Sequence, residues 1–265
     1  MSYKVTKYPE GTFSWADSAS TDANAAKQFY AAVMGWEIDD MPMGDGAFYT
    51  MFKQDGAHVA GLGPMPAEMK AGGMPSVWQS YVTVSDVDAM PEKIKALGGT
   101  VVTEPFDVFD SGRMMVLQDP TGAFLSLWQP KSHIGAGMVN APGAMTWNEL
   151  ATRDVPKAVA FYGKLFGWDI QADDSGFYNT AMNKGRSNAG IMQLAEEWGD
   201  APSNWMVYFS VANLADTEKK VVANGGKIII SNQQASETGS FSIFSDPQGA
   251  FVAVIQLNKP DTWAE

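Results

Sequence analysis

Asp119-Pro120-Thr121-Gly122-Ala123-Phe124 returns near the other end of the chain as Asp246-Pro247-Gln248-Gly249-Ala250-Phe251. Each stretch has Pro at the second and Gly at the fourth position of a tight turn, with an aromatic residue opening a strand. At the same offset of 127 residues, Trp78 matches Trp205, Gly98-Gly99 matches Gly225-Gly226 and Gly112 matches Gly239. Toward the N-terminus the offset becomes 129, pairing Phe48-Tyr49 with Phe177-Tyr178 and Ala60-Gly61 with Ala189-Gly190. It then reaches 132, pairing Trp15-Ala-Asp17 with Trp147-Asn-Glu149, Phe29-Tyr30 with Phe161-Tyr162, and Gly35-Trp36 with Gly167-Trp168. An offset that changes in a few steps is what loop deletions between preserved elements produce, so the chain is a tandem duplication. The reading places one domain at 9–130, a Gly- and Pro-containing linker at 131–143, and a second domain at 144–258.

Each half carries two helical patterns. Asp22 is placed to cap a helix through Ala26, Phe29, Tyr30 and Val33 that Gly35 stops, and Asp154 to Gly167 repeats it. A second helix is expected from Asp86 to Gly98-Gly99, with its counterpart from Asn213 to Gly225-Gly226. Between them lie β-like runs at Phe48–Lys53, Trp78–Val84, Arg113–Leu117 and Ala123–Trp128. Each half therefore reads as two βαβββ modules, giving four in the chain.

Composition closes off several classes of function. The 265 residues are 45% apolar, as in a globular protein, and contain no cysteine, which removes disulfides, thiolate nucleophiles and cysteine metal sites. A net charge of −12 argues against nucleic acid, whose phosphates need clustered Lys and Arg. No apolar run is long enough to span a membrane, and the first residues lack a secretory apolar segment, so a cytoplasmic protein is expected. Gly61-Leu-Gly-Pro lacks the strand–loop–helix setting of a nucleotide loop, and the two histidines, His58 and His133, leave little room for a Ser-His-Asp triad.

The helix ending Phe-Tyr-x4-Gly-Trp, the Gly-Gly exit of the second helix and the Asp-Pro-x-Gly-x-Phe turn together resemble the vicinal oxygen chelate superfamily. That superfamily holds glyoxalase I, bleomycin-resistance proteins and extradiol dioxygenases. The resemblance implies an α+β fold in which each domain curls its two βαβββ modules into a cup-shaped mixed sheet, with metal or ligand inside the cup. It further implies metal ligands at Trp15 and Trp147 on the first strand, at Ser80 and Val207 in the second module, and at Ser126 and Ala253 on the last strand. A fourth position falls near His58–Ala60 and Asn188–Gly190. An indole, a hydroxyl and a methyl group do not hold a divalent ion, so no metal or other cofactor is expected there.

Alternation along the first strand puts Trp15 and Asp17 on one face, and likewise Trp147 and Glu149. The last strand groups Phe124, Ser126 and Trp128 against Phe251, Ala253 and Ile255. Such a lining suits a flat or cationic organic molecule, with indole for stacking and a carboxylate for a positive charge. The tryptophans have an alternative reading as plugs where a metal was lost. Asp17 and Glu149 either act as proton carriers with raised pKa values or are strand-end carboxylates tied to backbone or solvent. Tyr49, Tyr178, Tyr81 and Tyr208 are ligand donors or packing residues, and His58 is a rim residue. Three functions follow: binding of a small organic ligand by a monomer or weak homodimer, a metal-independent lyase, isomerase or hydroxylase using Asp17 or Glu149, or a metal enzyme with atypical ligands such as His58 and Asp17.

Overall fold

A computed structural model describes residues 3–44 and 46–259. The first half runs β1 (Phe13–Ser20), α1 (Ala23–Met34), β2 (Glu37–Gly44), β3 (Ala47–Gln54), β4 (Ala57–Pro64), a one-turn helix α2 (Ala67–Ala71), β5 (Val77–Thr83), α3 (Met90–Ala96), β6 (Thr100–Val108), β7 (Gly112–Gln118) and β8 (Phe124–Pro130). The second runs β9 (Met145–Thr152), α4 (Val155–Phe166), β10 (Asp169–Ala172), β11 (Tyr178–Asn183), β12 (Arg186–Gln193), β13 (Asn204–Ser210), α5 (Leu214–Ala223), β14 (Lys227–Ala235), β15 (Gly239–Ser245) and β16 (Phe251–Leu257). Each half forms one eight-stranded mixed sheet that is not closed, ordered β2-β3-β4-β1-β5-β8-β7-β6 and β10-β11-β12-β9-β13-β16-β15-β14. Strands β1 and β5, the first of each module, pair antiparallel at the centre, as β9 and β13 do. No helix among the described residues is long and apolar enough to cross a membrane.

The helix signals act as anticipated at α1 and α4. The carboxylates of Asp22 and Asp154 accept from the backbone N–H groups of Ala25 and Lys157, and Gly35 and Gly167 close the helices with φ of 75° and 72°. Helix α3 starts later than expected, at Met90, because Asp86 accepts from the N–H of Asp88 in a turn ahead of it.

The duplicated motifs turn out to join the two halves. Tyr30 donates its hydroxyl proton to Asp246 Oδ2 at 2.9 Å and accepts from Trp78 Nε1 at 2.8 Å. Reciprocally, Tyr162 donates to Asp119 Oδ2 at 2.8 Å and accepts from Trp205 Nε1 at 2.8 Å. The other oxygen of each aspartate orders its own turn, taking N–H groups of Thr121 and Ala123, or of Gln248 and Ala250. Phe29 lies against Gly226 and Phe161 against Gly99, so that a β-carbon at either glycine would press on the ring. Trp36 Nε1 donates to the Gly143 carbonyl at 2.7 Å, and Trp168 Nε1 to the Gly11 carbonyl at 2.8 Å. One continuous buried cluster therefore runs through both halves.

All four partners of the two tyrosine–aspartate bonds are buried, so a lost hydroxyl leaves unpaired groups that no water replaces. Tyr30→Phe is expected to cost about 1–3 kcal/mol, with Tyr162→Phe adding a similar amount. Urea unfolding checks this; midpoints at the wild-type value would show that neither bond holds the halves together.

Candidate functional site

The junction claims one face of each sheet, and alternation sends the intervening residues to the opposite, concave face. Trp15 pairs with Tyr81 and Asp17 with Gln79 across β1 and β5, and Tyr81 pairs with Ser126 across β5 and β8. Asp17 also lies opposite Gly61 of β4, which faces Met51 of β3, two residues beyond Tyr49. Glu149, Met206, Tyr208, Ala253 and Gly190 repeat this layout in the second half.

On each concave face a carboxylate sits between two tyrosines. Tyr49 donates to Asp17 Oδ2 at 2.8 Å, Tyr81 reaches both Asp17 oxygens at 3.1 Å, and Trp15 Nε1 donates to the Tyr49 hydroxyl at 3.1 Å. In the second half Tyr178 and Tyr208 donate to Glu149 Oε2 and Oε1 at 2.8 Å each, and Trp147 Nε1 donates to Tyr178 at 3.0 Å. Burial pushes the Asp17 carboxyl up to about 6, against the opposing pull of the two tyrosine hydrogen bonds. Burial likewise raises Glu149. All four tyrosines are held well above the usual phenol range by burial and the adjacent carboxylate, so they stay neutral donors.

A bare backbone makes this possible. A β-carbon on Gly61 would collide with the Tyr49 hydroxyl, and one on Gly190 with that of Tyr178. The repeated Ala60-Gly61 and Ala189-Gly190 pairs are the sequence signal for this contact, readable once the tyrosine at matched spacing is set beside them.

Several expected site residues lie elsewhere. Ser80 is one residue out of register: it turns to the junction and donates to Asn148 Oδ1 at 2.7 Å, leaving the concave position to Tyr81. Val207 is displaced from its expected role in the same way by Tyr208. His58 does not meet Asp17; its Nε2 lies 3.6 Å from Asp39, which also pairs with Lys53. Ser126 stays on the concave face, buried beside Tyr81, whereas the fourth-strand position is Gly61, which has no side chain to offer.

The linker supplies a residue that sequence reasoning placed away from the site. His133 packs edge-on against Trp15 with ring centres 4.6 Å apart, and 5.9 Å from Trp128, whose Nε1 donates to the His133 carbonyl at 2.9 Å. Burial, with a smaller contribution from His58, lowers the His133 imidazole to about 4 and keeps it neutral.

The family's metal does not fit these residues. No group of three His, Asp or Glu side chains among the described residues is close enough to hold an ion. The indoles offer only N–H donors, and both oxygens of each carboxylate already accept from a tyrosine.

Residues 12–127 and 144–254 match the model of the Glyoxalase/Bleomycin resistance protein/Dioxygenase superfamily. A Mycobacterium bovis protein named "Putative glyoxylase CFP32" is 38% identical over 256 residues, covering 96% of this chain and 97% of the relative. "Anthracycline biosynthesis protein DauV" of Streptomyces sp. (strain C5) is 29% identical over 276 residues, covering 96% of each. In fold, the chain is similar to a Mn(II)-bound glyoxalase from Novosphingobium aromaticivorans, with TM-score 0.65 at 17% identity over 96% of this chain and 84% of that one. The chain belongs to the Glyoxalase/Bleomycin resistance protein/Dioxygenase superfamily.

The raised Asp17 pKa has a definite sign. Between the ordinary value of 3.8 and about 6, the folded chain keeps a proton that the unfolded chain has released, so this group makes stability fall as pH rises through that window. Asp17→Asn removes the effect, so its Tm relative to wild type is expected to climb between pH 4 and pH 7. A flat or opposite difference would contradict the buried-acid assignment. Gly190→Ala is expected to displace Tyr178 and cost about 1–3 kcal/mol, measured by thermal unfolding.

Proposed function

We propose that this chain binds a small organic molecule on the concave face of a curled sheet, without a metal, on a floor made of tryptophan, carboxylate and two tyrosines. The observation that carries this reading is the repetition of that four-residue group in both halves, with Asp in one copy and Glu in the other. A carboxylate kept only for packing would be replaced by an apolar side chain at less desolvation cost. Both carboxylate oxygens are already answered by tyrosine hydroxyls, which favours an aromatic ligand resting on the indole over a cation seeking the charge. The names of the relatives, a glyoxylase and an anthracycline biosynthesis protein, support chemistry on small organic molecules.

A second reading gives the acids a proton-carrying role. An acid with its pKa brought up to about 6 is near the range where a group both takes and gives a proton at neutral pH. In this reading Asp17 or Glu149 serves a lyase, isomerase or hydroxylase reaction, and the neutral tyrosines orient the acid.

A thermal-shift screen of aromatic and cationic molecules tests the proposal. A ligand at 100 times its dissociation constant is expected to add about 2.7 kcal/mol of stability. Glu149→Gln should weaken the shift, and dialysis against EDTA should leave it unchanged. Stoichiometric metal whose removal abolishes binding would overturn the metal-free reading.

A further inference from the structure

The linker and the residues after the last strand are counterparts in the duplication. At the offset of 127 residues Lys131 matches Asn258, and each donates its backbone N–H to a matched carbonyl, Ser111 at 3.0 Å and Thr238 at 2.9 Å. The chain therefore leaves β8 and β16 in the same way. After β8 it crosses β1 and β4, where Ala136 N–H donates to the Ser14 carbonyl at 2.7 Å and Gly137 N–H to that of His58 at 2.8 Å. Residues 262–264 stand at the places of residues 135–137.

In the second half the matched acceptors border a cavity. Thr146 and Ser187 correspond to Ser14 and His58 at the offsets of 132 and 129 residues. Among the described residues, no backbone N–H from outside the strand pairing reaches either carbonyl. Both residues line a cavity of about 120 Å³, together with Pro9 and Thr12 ahead of β9's partner half and Val139 of the linker. That volume is far below the ~300–1,000 Å³ of a pocket for a drug-sized ligand and suits a few side chains of the chain itself. Lys184 and Arg186 line it as well, whereas residues 260–265 carry Asp261 and Glu265, so the charges are complementary.

The later segment cannot copy the linker's tightest contact. Gly135, at φ 109°, lies so close to the Ser14 carbonyl that a β-carbon would collide with it, and Thr262 stands in its place. A path farther from the sheet is required, and the cavity is the room that the larger Thr262 and Trp263 need. Pro260 stands where His133 does, so no imidazole comes with this segment.

We infer that residues 260–265 fold back over this cavity and close it against β9 and β12, as the linker lies across β1 and β4 in the first half. The occupant is a segment of this same chain, and the inference does not depend on the small-molecule reading above.

The chain contains no cysteine, so an introduced pair reports alone. A β-carbon on Gly137 would stand 3.5 Å from that of Ala57, within disulfide range, which makes Ala57→Cys with Gly137→Cys the reference pair. The matched pair, Arg186→Cys with Ala264→Cys, is expected to oxidise to an intramolecular disulfide in the full-length protein. It should do so on the order of tenfold faster than Glu237→Cys with Ala264→Cys, whose partner lies beside Asn258 at the exit of the segment. As a second measurement, removing residues 260–265 is expected to quicken amide hydrogen exchange at 145–147 and 184–188. Exchange at 13–15 and 55–59 should stay as it is. Should the cysteine variant fail to fold, the exchange contrast decides alone. Equal oxidation rates for the two Ala264 pairs, or unchanged exchange after the removal, would overturn the inference. So would a disulfide-linked dimer, which gives the cavity to a second copy, or no disulfide at all, which leaves it to another occupant.

Discussion

Two reciprocal tyrosine–aspartate bonds set the arrangement of the molecule. Asp119 and Asp246 each split their carboxylate between a turn at home and a tyrosine of the other half. Burial raises the Asp246 pKa, the cost of placing this group in the interior, and its hydrogen bonds to Tyr30 and three backbone amides work in the other direction. The bonds come with tight steric matches, Phe29 over Gly226 and Phe161 over Gly99, so the junction is specified by both polarity and shape.

Because the junction occupies one face of each sheet, the carboxylate and its tyrosines gather on the other. Alternation beyond the irregularity between Phe13 and Trp15 then decides the cast: Trp15 and Asp17 face the cup, while Ala16 and Ser18 face inward. Each acid cluster is built from three strands, β1, β3 and β5 or β9, β11 and β13, and Gly61 and Gly190 on the strand between let the tyrosine hydroxyls cross the backbone to reach it. Tyrosine hydroxyls satisfy an otherwise costly buried carboxylate, and the indole N–H orients one of them.

Much of this was legible in the sequence. The repeat, the helix caps, the turn chemistry and the shared face of Trp15 and Asp17 all rest on local spacing, which a strand or helix obeys wherever it is placed. The register of Ser80 was not legible. Val207 is off by the same single residue although Asn213 caps α5 as expected, so the helix start does not set the strand's register, and a slip of one residue on a strand exchanges the two faces. Phe-Tyr and Gly-Trp read locally as helix packing, yet their polar atoms find partners more than 100 residues away, and no periodicity encodes such distances. His133 escaped for the same reason, since a linker's path depends on surfaces that exist only after both halves fold.

That path has a consequence for how a duplicated protein comes to have unlike halves. Two separate copies of one half, assembled about a twofold axis, would present two equal mouths. Joining them end to end creates a single connector, and the one histidine it carries can sit at only one mouth. Here that is the first mouth, with His133 on Trp15. Inequality between the twins therefore arises from covalent continuity itself, before any residue in either floor has to change.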